Sequence, residues 1–423
     1  MDIVRHTVNG IDLYYAPNTA MQQFYIGIYV KAGALYEDDD RAGYAHLLEH
    51  IVFRNIKKRY GDDFYTVLTQ NSLYFDASTY KEMILFSFSG LRRGLGLAVE
   101  LIAALYDDID VSADELNAEK SRIKAEIAEN DTRSRLSYQC SRKVWEDTPL
   151  KNPVTGLVAN INRANCAAIN DYKNSVMVRG NLFAVATGHI SENDLATVKA
   201  AFMRLTLADG DIKDNIAVVP KRFMNRGCSI TARDKNFTGL DFSFDYDHAP
   251  QNHFIIDRLY DVLLTGYDSL IEQELSERRG IIYSTDACIE RYNNIGVLNF
   301  RFDVEGAHLE EAIEAVVTIL NRVKRGDFDW ETSLQKRINY SLEELDNIEG
   351  YNFSIAFSHL IFGRSYTIDE DLAIYRSVSR ENIAAFAREL FTTRRLTLGI
   401  AGSKSAVYRN RNKLTDLLKK LDL

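Results

Sequence analysis

The segment His46-Leu47-Leu48-Glu49-His50 places two imidazoles and a carboxylate where one metal ion can use them. The flanking stretches, Arg41–Ala45 and Ile51–Phe53, carry apolar residues at helical spacing, so a helix is expected over about 41–55. Residues three and four apart are neighbours on a helix, so His46 and His50 share a face with Glu49 beside them. Leu47 and Leu48 point to the opposite side, where they pack. Either histidine by itself reads most simply as a core or surface residue. With 8 His in 423 residues, however, H-x-x-E-H arises by chance in roughly one such chain in a hundred. Catalytic zinc sites use three protein ligands and keep a fourth position for water. Two are present here, so a third must come from elsewhere in the chain.

These residues need a scaffold, and the chain supplies α+β elements for one. Strand-like runs at Ile3–Val8, Ile11–Ala16 and Gln22–Ala32 precede the motif helix, and a further helix is expected near Asp62–Gln70. Tyr74–Gly90 reads as an extended ribbon, and Leu91–Tyr106 and Ser112–Glu129 as helices. A turn at Asn152–Gly156, a buried strand at Leu182–Thr187 and a helix at Glu192–Met203 complete the first half. Leu207–Arg222, with the turn cluster Ala208-Asp209-Gly210-Asp211, is the expected linker. The second half repeats the order. Strands near Cys228–Ala232 and Thr238–Phe244 precede helices at about Gln251–Leu264 and Ser269–Arg279, and a strand pair follows at Ile281–Ile289 and Gly296–Val304. Helices over His308–Val323, Trp330–Leu345 and Arg380–Leu390 lead to a strand at Leu396–Ala401. Two units of similar size, 1–206 and 223–423, point to a duplicated architecture. The second half has no counterpart of the metal motif. His248 and His253 are five apart, on different helix faces, and His6, His189, His308 and His359 are isolated.

A net charge of −9 argues against a general affinity for nucleic acid or for an anionic membrane. Four cysteines, Cys140, Cys166, Cys228 and Cys288, are far apart and form no C-x-x-C, as in a reduced cytoplasmic protein. The first residues do not resemble a signal peptide, and no run of 18 apolar residues occurs. A cytoplasmic enzyme without a membrane span is expected.

Glu119 and Glu126 lie seven apart, on one face of the helix expected at Ser112–Glu129. By composition alone this is a solvated charged helix. Together with the motif, though, the segment E-x6-E resembles that of the M16 metallopeptidases, the inverted-motif zincins that include pitrilysin, insulin-degrading enzyme and the mitochondrial processing peptidase. The resemblance covers nearly the whole chain. Asp76-Ala77-Ser78-Thr79 is similar to the family's N-A-x-T edge strand, with Asp76 in place of asparagine. Glu274–Ser284 is similar to its L-R-x-x-R-G-L-x-Y-S segment.

The resemblance implies Glu126 as third zinc ligand beside His46 and His50, and Glu119 as the partner that orients a ligand histidine. It implies substrate binding along Ala77, Ser78 and Thr79, and Tyr283 as a group that holds substrate. Glu49 would be the general base on water. The fold implied is two homologous domains, each a mostly antiparallel sheet packed with helices, forming half of a clamshell dimer. The function implied is a zinc endopeptidase acting on peptides or unfolded segments, with leader-peptide removal as one variant and a non-catalytic subunit as the alternative. The family's arginine, seven residues before the tyrosine, is Ser276 here. That leaves open a homodimer, or a heterodimer with a paralogue that supplies the arginine.

Overall fold

The computed structural model describes residues 2–133, 135–146, 148–210, 228–231, 237–292, 294–405, 408 and 411–423. The linker expected at 207–222 lies outside the described residues from 211 onward. The chain forms two compact units, neither of them one contiguous stretch. Unit one gathers Met1–Asn130, Asn152–Ile216 and Leu342–Asp369; unit two gathers Asp131–Lys151, Ala217–Ser341 and Glu370–Leu423.

Unit one is built on β1 (Val4–Val8), β2 (Ile11–Pro17), β3 (Gln23–Val30), β4 (Leu73–Thr79), β5 (Ile84–Leu91) and β6 (Leu182–Gly188). Their order is β1-β2-β6-β3-β5-β4, antiparallel except for β2 with β6. Asn9 and Gly10 join β1 to β2 with φ of 53° and 75°, the left-handed two-residue turn whose twist suits a hairpin. The extended ribbon expected from the sequence is the β4–β5 hairpin, with β4 at the sheet edge.

The central strands are buried on both faces, which is why β3 and β6 read as continuous apolar runs. Phe24, Ile26, Ile28 and Val30 of β3, with Phe86 and Phe88 of β5, belong to the core shared with helices Tyr44–Lys58, Leu95–Ala104, Cys166–Val176 and Glu192–Arg204. Tyr25, Tyr29, Phe183 and Val185 face the other way, towards helix Ile348–Phe362, which arrives from far along the chain. Its Asn352 is fully buried and fully engaged. Nδ2 donates to Val185 O at 3.0 Å and Thr187 Oγ1 at 3.1 Å, and Oδ1 accepts from the Tyr29 hydroxyl at 2.8 Å. The Tyr14 hydroxyl adds a 2.7 Å hydrogen bond to His359 Nδ1.

Unit two carries β7 (Cys228–Thr231), β8 (Phe237–Asp247), β9 (Asp286–Arg291), β10 (Ile295–Glu305) and β11 (Leu396–Gly402), in the order β7-β11-β8-β10-β9. Only β7 with β11 is parallel. Helix Arg135–Val144, from early in the chain, packs on β8 and β11. It comes so close that a Cβ on Gly399 would lie 2.1 Å from Cys140 Sγ; in unit one, a Cβ on Gly27 would lie 2.8 Å from Asn352 Oδ1. Each sheet thus has a glycine where the helix from the other half of the sequence approaches.

Two expectations need correction. Ile281–Thr285 is not strand: Gly280, at φ 62°, ends the preceding helix, Tyr283 and Ser284 are exposed, and β9 begins only at Asp286. The helix expected over Ser269–Arg279 widens to a π-type helix over Glu272–Arg278.

Candidate active site

The motif lies on helix Tyr44–Lys58. Leu47, Leu48 and Ile51 are fully buried on its core side, which turns His46, Glu49 and His50 towards β4 and helix Ala113–Arg133. Aromatic stacking fixes the helix against the sheet. The Phe53 ring lies parallel to that of Phe75 on β4 at 4.8 Å, and Phe75 stacks on Phe88 of β5 at 4.9 Å. Helix Ala113–Arg133 is held by buried Leu116 and Ile123, and by Lys120, whose ammonium donates to the carbonyls of Asn162 and Ala164.

The structure brings His46, His50 and Glu126 together, each offering a ligand atom within 4.8 Å of the others. His46 Nε2 is 2.9 Å from Glu126 Oε2, and His50 Nε2 is 3.7 Å from Glu126 Oε1. Among the described residues this is the one group of three histidine, cysteine or carboxylate side chains close enough to share an ion. Glu119 is buried next to it, with Oε2 3.2 Å from His50 Nδ1. An ionised carboxylate only accepts, so the proton sits on Nδ1 and the Nε2 lone pair faces Glu126 and the shared centre. His46 Nδ1 lies 3.4 Å from Glu49 Oε2.

Glu49 is not spent as a ligand. The Thr79 hydroxyl, at the end of the edge strand, donates to its Oε2 at 2.7 Å. Burial would raise the Glu49 pKa, but His46 and Thr79 outweigh it and hold the carboxyl below its ordinary value. Burial would likewise lower the His46 pKa, and Glu49 and Glu126 reverse the sign. Carboxylates that draw a proton to this spot draw a metal cation as well. With two imidazoles and one carboxylate, the donor set fits zinc.

Ala77, Ser78 and Thr79 pair with Phe86, Leu85 and Ile84 of β5, and their other edge carries no strand among the described residues. Asp76 is exposed, on the opposite sheet face from Thr79. Tyr283 belongs to unit two, where its ring is 96% exposed. Ser276 stands on the π-type helix, and the arginines near it are engaged. Arg278 pairs with Glu274 at 3.0 Å, and Arg279 bridges Glu274 and Glu311 at 2.9 Å each.

Sequence reasoning missed Arg54. One turn past His50 on the same helix face, its Nη1 donates to Glu119 Oε1 at 2.6 Å, with Arg122 at 3.3 Å from the same oxygen. Burial would raise the Glu119 pKa; His50 and Arg54 lead the interactions that bring it below the ordinary value. The i, i+4 spacing from His50 was the available signal. Arg54→Met keeps the packing stem but removes the charge, and is expected to weaken zinc binding about ten-fold, the low end for a lost outer partner of a ligand histidine. Competition with a chromophoric chelator measures this, and unchanged affinity would refute the role.

Comparison with known proteins supplies the family. Residues 14–157 match the family described as insulinase (peptidase family M16), and residues 169–336 match the one described as the peptidase M16 inactive domain. An uncharacterised zinc protease of Mycobacterium tuberculosis is 23% identical over 396 residues, covering 90% of this chain and 89% of its own. The mitochondrial-processing peptidase subunit beta of Mus musculus is 24% identical over 241 residues, 56% of this chain and 46% of its own. The solved structure of a protease from Helicobacter pylori superposes with a TM-score of 0.83 at 16% identity, covering 95% of this chain and 99% of the other. Two M16 domain matches in tandem, a shared two-sheet α+β fold and a His₂Glu cluster that joins both histidines of H-x-x-E-H to Glu126 place this chain in the M16 peptidase family.

Proposed function

We propose that this chain is a zinc-dependent endopeptidase acting on peptides or unfolded segments. The observation that carries this reading is Glu49: free of the ligand set, it sits 3.4 Å from His46 and is hydrogen-bonded to the edge strand along which a peptide would lie. His46, His50 and Glu126 would hold the zinc, whose Lewis acidity polarises a carbonyl and acidifies water. Glu49 accepts the proton of the attacking water and passes it to the leaving amine. Glu119 keeps the His50 proton on Nδ1. The open edge of β4 at Ala77–Thr79 pairs with the peptide backbone, so main-chain hydrogen bonds select an extended segment over a folded one. Likeness to the family offers Tyr283, in the C-terminal M16 domain and exposed, as a group that holds substrate.

A second reading follows from Ser276 and from the two arginines tied to Glu274 and Glu311. None of these offers a free guanidinium for substrate, which favours a clamshell dimer whose other subunit, a paralogue, supplies the arginine. Cys166 and Cys288, which form no disulfide, suit a cytoplasmic setting.

One experiment separates the readings. The purified chain, by itself, is incubated with a diverse library of unstructured peptides before and after metal removal. Cleavage that stops with a zinc chelator and returns with added zinc supports a self-sufficient peptidase. A folded, zinc-loaded chain that cleaves nothing refutes that reading and favours the partner-dependent one.

A further inference from the structure

We infer that Glu37 is a positioning residue for the metal centre, acting through the first turn of the motif helix; the inference rests on the peptidase reading above. The first N–H groups of an α-helix have no partner inside it and are ordinarily met by a Ser, Thr, Asp or Asn at the N-cap. The motif helix has Gly43 there, which offers no side chain. The site cannot take one: Gly43 lies at φ 102°, and a Cβ on it would sit 2.6 Å from the Gly156 Cα. That contact explains both glycines. The turn ending in Gly156 presses against the start of the motif helix, and Leu157 N reaches Ala42 O at 3.2 Å.

The missing cap comes from six residues upstream. The Glu37 carboxylate, only 4% exposed, accepts from Gly43 N through Oε2 at 2.8 Å and from Ala45 N through Oε1 at 2.6 Å. Both oxygens are used, so the carboxylate fixes the direction of the helix as well as its start. Ala45 immediately precedes His46. A shift of this turn moves His46 directly, and Glu49 and His50 along with it on the same rigid helix.

This function needs two oxygens aimed at two N–H groups, which separates it from generic packing. Glu37→Ala removes both acceptors, while Glu37→Gln keeps the shape and one of them. In the full-length chain, three quantities are measured for each variant: zinc affinity by chelator competition, the visible absorption of the cobalt(II)-loaded protein, and kcat and KM on a cleavable peptide. Glu37→Ala is expected to bind zinc about ten-fold more weakly, in line with other positioning groups around metal ligands. Its cobalt spectrum changes, and kcat falls while KM stays close to wild type. Glu37→Gln restores most of each. Zinc affinity and a cobalt spectrum equal to wild type in folded Glu37→Ala would overturn the inference. If that variant does not fold, Glu37→Asp decides: its carboxylate falls one methylene short of the Gly43 and Ala45 N–H groups, so a weakened zinc affinity supports the role and an unchanged one refutes it. A wild-type chain whose zinc binding is indifferent to His50→Ala would instead overturn the metal centre itself, and the Glu37 role with it.

Discussion

Zinc-loaded Glu49→Gln is expected to keep its metal and to lose peptide hydrolysis by a factor of about 10² to 10⁴, the range set by general-base catalysis. Glutamine has the same length and shape, and its carbonyl oxygen still accepts the 2.7 Å hydrogen bond from Thr79. The amide therefore stays where the carboxylate was. What it lacks is basicity, so it cannot take the proton from the attacking water. The three side chains that gather at the candidate metal position are His46, His50 and Glu126, and Glu49 is not among them. Zinc content should thus match wild type, in contrast to His50→Ala, which leaves only two ligands and is expected to bind zinc weakly. The measurement pairs zinc content with turnover on the same sample. A zinc-loaded Glu49→Gln protein that turns over peptide like wild type would show that another group carries the proton.

The second large effect concerns stability. Asn352→Leu is expected to destabilise unit one by about 3 kcal/mol, because it strands several polar groups in a dry interior rather than removing a single bond. The Tyr29 hydroxyl loses its 2.8 Å acceptor, and Val185 O and Thr187 Oγ1 lose the 3.0 and 3.1 Å donations from the amide. Leucine also cannot sit easily over Gly27, where the space between helix and sheet is set by the small oxygen of Asn352. For a unit of about 200 residues this corresponds to a Tm lower by roughly 6–12 °C. Calorimetry of the full-length variant measures it, and a Tm within a degree or two of wild type would mean that Asn352 is not the anchor of helix Ile348–Phe362. Zinc affinity of the folded variant is expected to stay at the wild-type value, since Asn352 lies on the sheet face away from the motif helix.

Much of the site was legible because it is local. H-x-x-E-H on an amphipathic helix lines up its three polar groups at any position in any fold, since the 3.6-residue period alone aligns them. The same holds for Glu119 and Glu126, two turns apart on one helix. Their pairing with the motif was another matter: helix geometry leaves a charged surface helix equally acceptable, and only the likeness to a known family joined the two segments. The strands of both sheets were readable from β-branched and aromatic runs. Helix Ile348–Phe362 was not, because its apolar and aromatic residues lie all round it and leave no periodic stripe.

By itself, then, the sequence determined the donor types, their spacing on each helix, the α+β class and the absence of a second metal motif. It could do so because each follows from residue chemistry and backbone period. Tertiary structure decided which distant groups meet. It put Thr79 on Glu49, Arg54 and Glu119 behind His50, Glu37 under a helix start that Gly156 leaves no room to cap, and two helices on sheets from the opposite half of the chain. These contacts follow from packing, in which a buried polar group must find its partner wherever the fold brings one, and sequence spacing carries no record of that.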